Sequence, residues 1–212
     1  MGGRGANSGQ KSYLSSLNSG NRAVSIKRLP VDGVTKYNND GTPNKARTIE
    51  EWEEANYNKK REYALIVDAS GNAVDQFEGV SGNVGIVRPR GYSDYSLTVT
   101  HNHPSGGTFS PDDVETFLSD KFAEVRARGG DNLYVMRHTT RSDSRAFGKA
   151  VSKAKAEIVK RLDNRMDLIE RAGGQVDINV KRRELLEIAD DYWRVNAARY
   201  GYEYTHTKRR QT

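Results

Sequence analysis

His101 and His103 lie two residues apart at the end of an apolar run, and Asp113 follows ten residues later. Alternate residues of a strand project from one face, so both imidazoles can address a common point. Pro104 ends the strand directly after them and keeps the backbone extended. Ser105, Gly106 and Gly107 are small enough for the chain to double back close to that point. The chain contains no cysteine, so any bound metal must be held by His, Asp, Glu and water. Two imidazoles and one carboxylate are three protein ligands. They leave the fourth tetrahedral position of Zn²⁺ to water, whose pKa falls to about 7 on coordination. The chemistry this spacing predicts is zinc-dependent hydrolysis.

The same segment also has a purely structural use. Ser110 as N-cap, Pro111 at the first helical position and Asp113 at the third make a strong helix start with no metal. Capping alone does not account for the two histidines, the proline and the glycine hinge that crowd into residues 101–113. A metal site accounts for all of them.

His101–Asn102–His103–Pro104 followed by Ser110–Pro111–Asp112–Asp113 resembles the signature of the JAMM (JAB/MPN+) metallopeptidases, HxHP and then SxxD, with a catalytic glutamate on an earlier strand. The wording HNHPSG is most similar to the RadC-like branch. The resemblance covers residues 62–136 at most. It implies a cytidine-deaminase-like α/β fold, a mixed sheet with flanking helices, and a Zn²⁺ cofactor held by His101, His103 and Asp113. It further implies that Ser110 stabilises a tetrahedral oxyanion and that an upstream glutamate acts as general base on a protein or peptide substrate, at a peptide or isopeptide bond. Glu62, which opens the segment 62–68, is the first candidate for that base. Glu78 on the return strand is its competitor, and Glu54 inside a helix comes third. The family usually has six residues between the Pro and Ser of its signature. Here there are five, Ser105 to Phe109, so Asp112 stands as the alternative ligand to Asp113. The letters HNH also resemble the HNH nucleases, but those need separated His, Asn and His in a ββα-metal unit.

The elements that must position these residues can be read from apolar periodicity. Thr48 with Glu51 has the pattern of a capping box and predicts a helix anchored by Trp52. Residues 63–67 read as a buried strand, 74–77 as its hairpin return, and 84–87 and 95–100 as two more strands. A helix is predicted over 114–128 and a last strand over 133–136. From Asp143 a long amphipathic helix runs to Gly173–Gly174, and a second covers about 180–200, with Leu185, Ile188, Ala189, Tyr192 and Val195 on one stripe. This α/β domain over 48–138, followed by a helical hairpin and a basic tail over 139–212, leaves the hairpin's apolar face to be covered by the domain or by a second copy in a homodimer.

Composition bounds the rest. The 212 residues suit one domain with appendages. Residues 1–47 hold eight bases (Arg4, Lys11, Arg22, Lys27, Arg28, Lys36, Lys45, Arg47) against Asp32 and Asp40, an excess equal to the whole chain's +6. They read as a mostly disordered arm with an anionic partner, which opens a non-catalytic reading as a nucleic-acid-associated or scaffold protein. No stretch has the roughly 20 apolar residues of a membrane span, and MGGRGANSGQ has no apolar signal block, so a cytoplasmic protein is expected. That glycine- and arginine-containing start is similar to proteins of phages and mobile elements.

Overall fold

The computed structural model describes residues 26–208; predictions that fall on 1–25 and 209–212 lie outside the described residues. Seven strands form one mixed sheet in the order β1-β3-β2-β4-β5-β6-β7. They are β1 (Lys27–Leu29), β2 (Tyr63–Asp68), β3 (Ala73–Glu78), β4 (Leu97–Asn102), β5 (Glu124–Gly129), β6 (Asn132–Arg137) and β7 (Glu203–Lys208). Four helices accompany them among the described residues: α1 (Lys45–Asn56), α2 (Pro111–Ser119), α3 (Ser144–Arg171) and α4 (Ile178–Arg199). The class is α/β, as predicted.

Every pairing is antiparallel except β4 with β5. A parallel pair needs a crossover connection, and α2 supplies it. The chain therefore leaves β4 at its C-terminal end, where His101 and His103 stand, and enters α2 at Pro111, with Asp113 in its first turn. Open α/β sheets place their ligands beyond such strand ends.

The two faces of the sheet carry separate cores. Ala64, Ile66, Leu97, Val99, Val125 and Ala127 face α2, α3 and α4, where Phe117, Phe147, Val151, Ile158, Ile188, Tyr192 and Trp193 meet them. Leu65 and Val67 face the other way, against Ile49 and Trp52 of α1. Both tryptophans are core anchors, as their helical spacing suggested. The apolar stripe of the long helix pair is covered within the chain. Val195, assigned to that stripe, is exposed instead.

Several predicted elements shift, each for a local reason. α1 starts at Lys45 because Asn44 caps it, accepting from the Arg47 amide at 2.9 Å. Thr48 is buried one turn inside, where its Oγ1 accepts from the Lys36 amide at 3.0 Å. Residues 84–87 are irregular; Val84 and Ile86 alternate because they pack on the core, without a ladder partner. The helix predicted over 114–128 is a nine-residue helix followed by a strand. Phe117, Phe122 and Val125 mimic helical spacing, but Lys121 at φ 52° turns the chain, and Val125 and Ala127 then alternate with Arg126 and Arg128 as a strand does. β6 is followed by β7, which takes in the start of the expected basic tail.

Residues 26–47, assigned to a loose arm, join the fold through β1 and the cap of α1. Their bases are matched: Lys27 pairs with Glu78, Arg28 with Asp75, Lys36 and Arg47 with Glu51, and Lys45 donates to Thr98.

The α1 face also buries charge that the sequence did not announce. Glu53 receives Arg126 bidentately, at 2.6 and 3.0 Å, and accepts from Thr100 Oγ1 at 2.7 Å. Removing Glu53 leaves the Arg126 guanidinium with Glu124 alone, at 3.1 Å, and frees Thr100 Oγ1 in the interior, at a cost of about 3 kcal/mol. Glu53→Ala is expected to lower the melting temperature by about 10 °C in a thermal unfolding scan.

Candidate metal centre

His101 is the penultimate residue of β4 and is 1% exposed; His103 follows the strand and is 6% exposed. The His103 amide donates to the Arg128 carbonyl at 2.7 Å, which prolongs the β4–β5 ladder and keeps its ring on the same face as that of His101. The rings meet edge to face with their Nε2 atoms 2.8 Å apart. Asp113 completes the group: Oδ1 lies 3.4 Å from His101 Nε2, and Oδ2 lies 3.3 Å from His103 Nε2. A tetrahedron built on metal–ligand bonds of about 2.0–2.1 Å has edges of about 3.3 Å. Both Nε2 atoms and the Asp113 carboxylate thus converge within reach of a single ion, a different carboxylate oxygen facing each ring. They are the one such group of His, Asp and Glu among the described residues.

Capping and ligation coincide at Asp113. Its Oδ2 accepts from the Ser110 amide at 2.7 Å and from Ser110 Oγ at 2.8 Å, while the Asp113 amide donates back to Ser110 Oγ at 3.2 Å. This capping box fixes the carboxylate at the start of α2 and leaves Oδ1 for a metal. The Ser110 hydroxyl proton is directed to Asp113 in this state. Asp112, the alternative ligand, is exposed on the cleft rim and is not one of the converging donors.

The electrostatics suit a dication. Burial opposes a charged Asp113, yet His101 and His103 outweigh it and hold the carboxyl well below the usual carboxylate range. Burial likewise opposes a charged His103, but hydrogen bonding and attraction from Asp113, with attraction from Glu62, lift its pKa to about 9. His103 Nδ1 donates to the Gly107 carbonyl at 3.0 Å, which directs Nε2 toward the other two donors. His101 Nδ1 is buried without a hydrogen-bond partner.

Comparison with known proteins gives no match. No family model, no curated protein and no solved structure matches the chain. The site's own geometry carries the functional reading.

Of the three candidate bases, Glu62 is the one that lines the cleft with His101, His103 and Asp113. β2 and β4 run antiparallel with Ala64 opposite His101. Continued by two residues, that register sets Glu62 opposite His103, on the same face of the sheet. Burial pushes the Glu62 carboxyl up to about 8, with His103 pulling it down and Asp113 pushing it further up. Glu78 instead pairs with Lys27 and Arg61 outside the cleft, and those contacts lower its pKa. Glu54 is on the exposed side of α1.

Asn102, between the two histidines, faces the opposite way and has a use the sequence did not suggest. Its Oδ1 accepts from the Tyr63 amide at 2.6 Å, and its Nδ2 donates to the Arg61 carbonyl at 2.9 Å. It grips the backbone on both sides of Glu62. The alternation of faces in a strand could have exposed this role, since the residue between two ligands must point at the other side.

The loop after the histidines leans on β5. A Cβ at Gly129 would lie 2.7 Å from the Gly106 carbonyl carbon, inside any real contact distance. Gly129→Ala is expected to displace the loop, cost about 1–3 kcal/mol and weaken zinc binding, which calorimetry of folding and of metal titration would both register.

Proposed function

We propose that the chain is a zinc-dependent hydrolase of the JAMM type, built on a JAB/MPN-like core, that cleaves a peptide or isopeptide amide bond. One observation carries the reading: two imidazoles and a carboxylate converge within reach of one ion, with a buried glutamate lining the same cleft. Bound there, a zinc ion supplies the Lewis acid that polarises the amide carbonyl and acidifies water. The protein's own residues do the rest. Glu62 takes a proton from the attacking water and returns it to the leaving amine. Ser110 at the cleft wall turns its hydroxyl from Asp113 toward the oxyanion as charge develops there. Asn102 keeps Glu62 aligned from the far face of the sheet.

The cleft encloses about 90 Å³, and its rim at Gly82, Asn83 and Ser105 consists of turns that an extended peptide can reach. Incubation of the zinc-loaded protein with a library of unstructured peptides and with an isopeptide-linked conjugate is the test. Cleavage that a chelator stops and added zinc restores supports the proposal; no cleavage of either substrate class contradicts it.

The rival reading, a non-catalytic module bound to nucleic acid through its basic arm, draws no support from residues 26–47, whose lysines and arginines are matched within the chain.

A further inference from the structure

We propose that α4 and β7 form a clamp on the loop 104–110 and thereby set the metal affinity of the centre. This rests on the reading of His101, His103 and Asp113 as a zinc site, and it assigns positioning residues far from them in sequence. Three side chains reach the loop from the C-terminal part of the chain. Arg182 donates to the Ser105 carbonyl at 2.6 Å. Trp193, fully buried, donates its indole N–H to the Phe109 carbonyl at 2.7 Å. Tyr204 meets the hydroxyl of buried Thr108 at 2.8 Å.

The Tyr204 contact has a defined direction. Its phenol has one proton, which goes to the carboxylate of Asp190 at 2.5 Å, because an ionised carboxylate can only accept. Thr108 therefore donates to Tyr204, and the relay runs Thr108 to Tyr204 to Asp190. His206 holds the other oxygen of Asp190 at 3.0 Å. Tyr204 and His206 belong to β7, which is laddered along the whole of β6, so the relay is held between the sheet and Asp190 of α4.

The consequence reaches a ligand through one rigid unit. The Gly107 carbonyl that accepts from His103 Nδ1 belongs to the planar peptide joining Gly107 to Thr108. Anchoring Thr108 orients that carbonyl, and the carbonyl orients the His103 ring. On the other side of the loop, Trp193 anchors Phe109, whose ring lies 6.5 Å from that of His101. Partners of this kind, one step behind the ligands, are worth about 10–100-fold in metal affinity.

The test measures zinc affinity by competition with a chromophoric chelator, and the visible spectrum of the cobalt-substituted protein, in the full chain. Tyr204→Phe and Thr108→Val should each weaken zinc binding by about 10-fold or more and shift the cobalt bands, and the double variant should be no worse than either single one. Thr108→Ser keeps the hydroxyl and should restore wild-type values. Tyr192→Phe is the control: its hydroxyl donates to the Ala150 carbonyl, away from the loop, and its loss should change neither readout. If Tyr204→Phe and Thr108→Val match a zinc-binding wild type in affinity and spectrum, the clamp is overturned. A wild type that binds neither zinc nor cobalt would instead overturn the metal centre itself.

Discussion

Replacing Glu62 by glutamine is expected to leave zinc bound and to cut amide hydrolysis by about 10²–10⁴-fold, the contribution of a positioned general base. Gln keeps the shape of the neutral acid and removes only the ability to exchange a proton. The variant has a second signature that needs no substrate. In the metal-free protein the Glu62 pKa is about 8, against about 4.5 for an exposed glutamate. Between these values the unfolded chain gives up the proton while the folded one retains it, so stability falls as pH rises, by up to ~1.4 kcal/mol per pH unit. Below pH 4.5 this contribution vanishes; above pH 8 it is complete. Glu62→Gln should therefore unfold at higher denaturant concentration than wild type at pH 8, and at the same concentration near pH 4.5. Equal stability at both pH values would show that Glu62 is not desolvated, and undiminished turnover would remove it from the reaction.

The second large effect separates two adjacent aspartates. Asp113→Ala deletes one of three protein ligands, whose share of a zinc-binding free energy of about 10–16 kcal/mol corresponds to on the order of 10³-fold in affinity. It also breaks the capping box of α2, costing about 1 kcal/mol of stability. Asp112→Ala, one residue away on the rim, should bind zinc as wild type does. Isothermal titration with zinc measures both. The reverse order of effects would assign the ligand to Asp112 and require α2 to be rotated from its observed position.

The site was more legible than the fold. Two histidines at alternate strand positions and a capped acid on the next helix form a local pattern, and local patterns survive the loss of tertiary information. Glu62 was less accessible, because its place opposite His103 depends on which strand pairs with β4 and in which register. The helix predicted over 114–128 failed for the opposite reason: Phe117, Phe122 and Val125 are buried by one shared core, and that burial produced a helical spacing across a helix–strand boundary. Thr207 and Lys208 read as the start of a basic tail, and nothing in the polar run 203–208 shows a core. These six residues are an edge strand, with Tyr204 directed inward at Thr108 and the remainder solvated. The clamp on the loop was beyond reach for the same reason as the Glu53–Arg126 pair, since each joins residues more than 70 positions apart.

Native mass spectrometry of the full chain in the presence of zinc tests the metal centre most directly. Wild type is expected to gain the mass of a single zinc ion per chain, and His103→Ala to stay metal-free under the same conditions. A wild type that remains unmetallated at excess zinc, or a His103→Ala protein that takes up zinc equally well, would contradict the account.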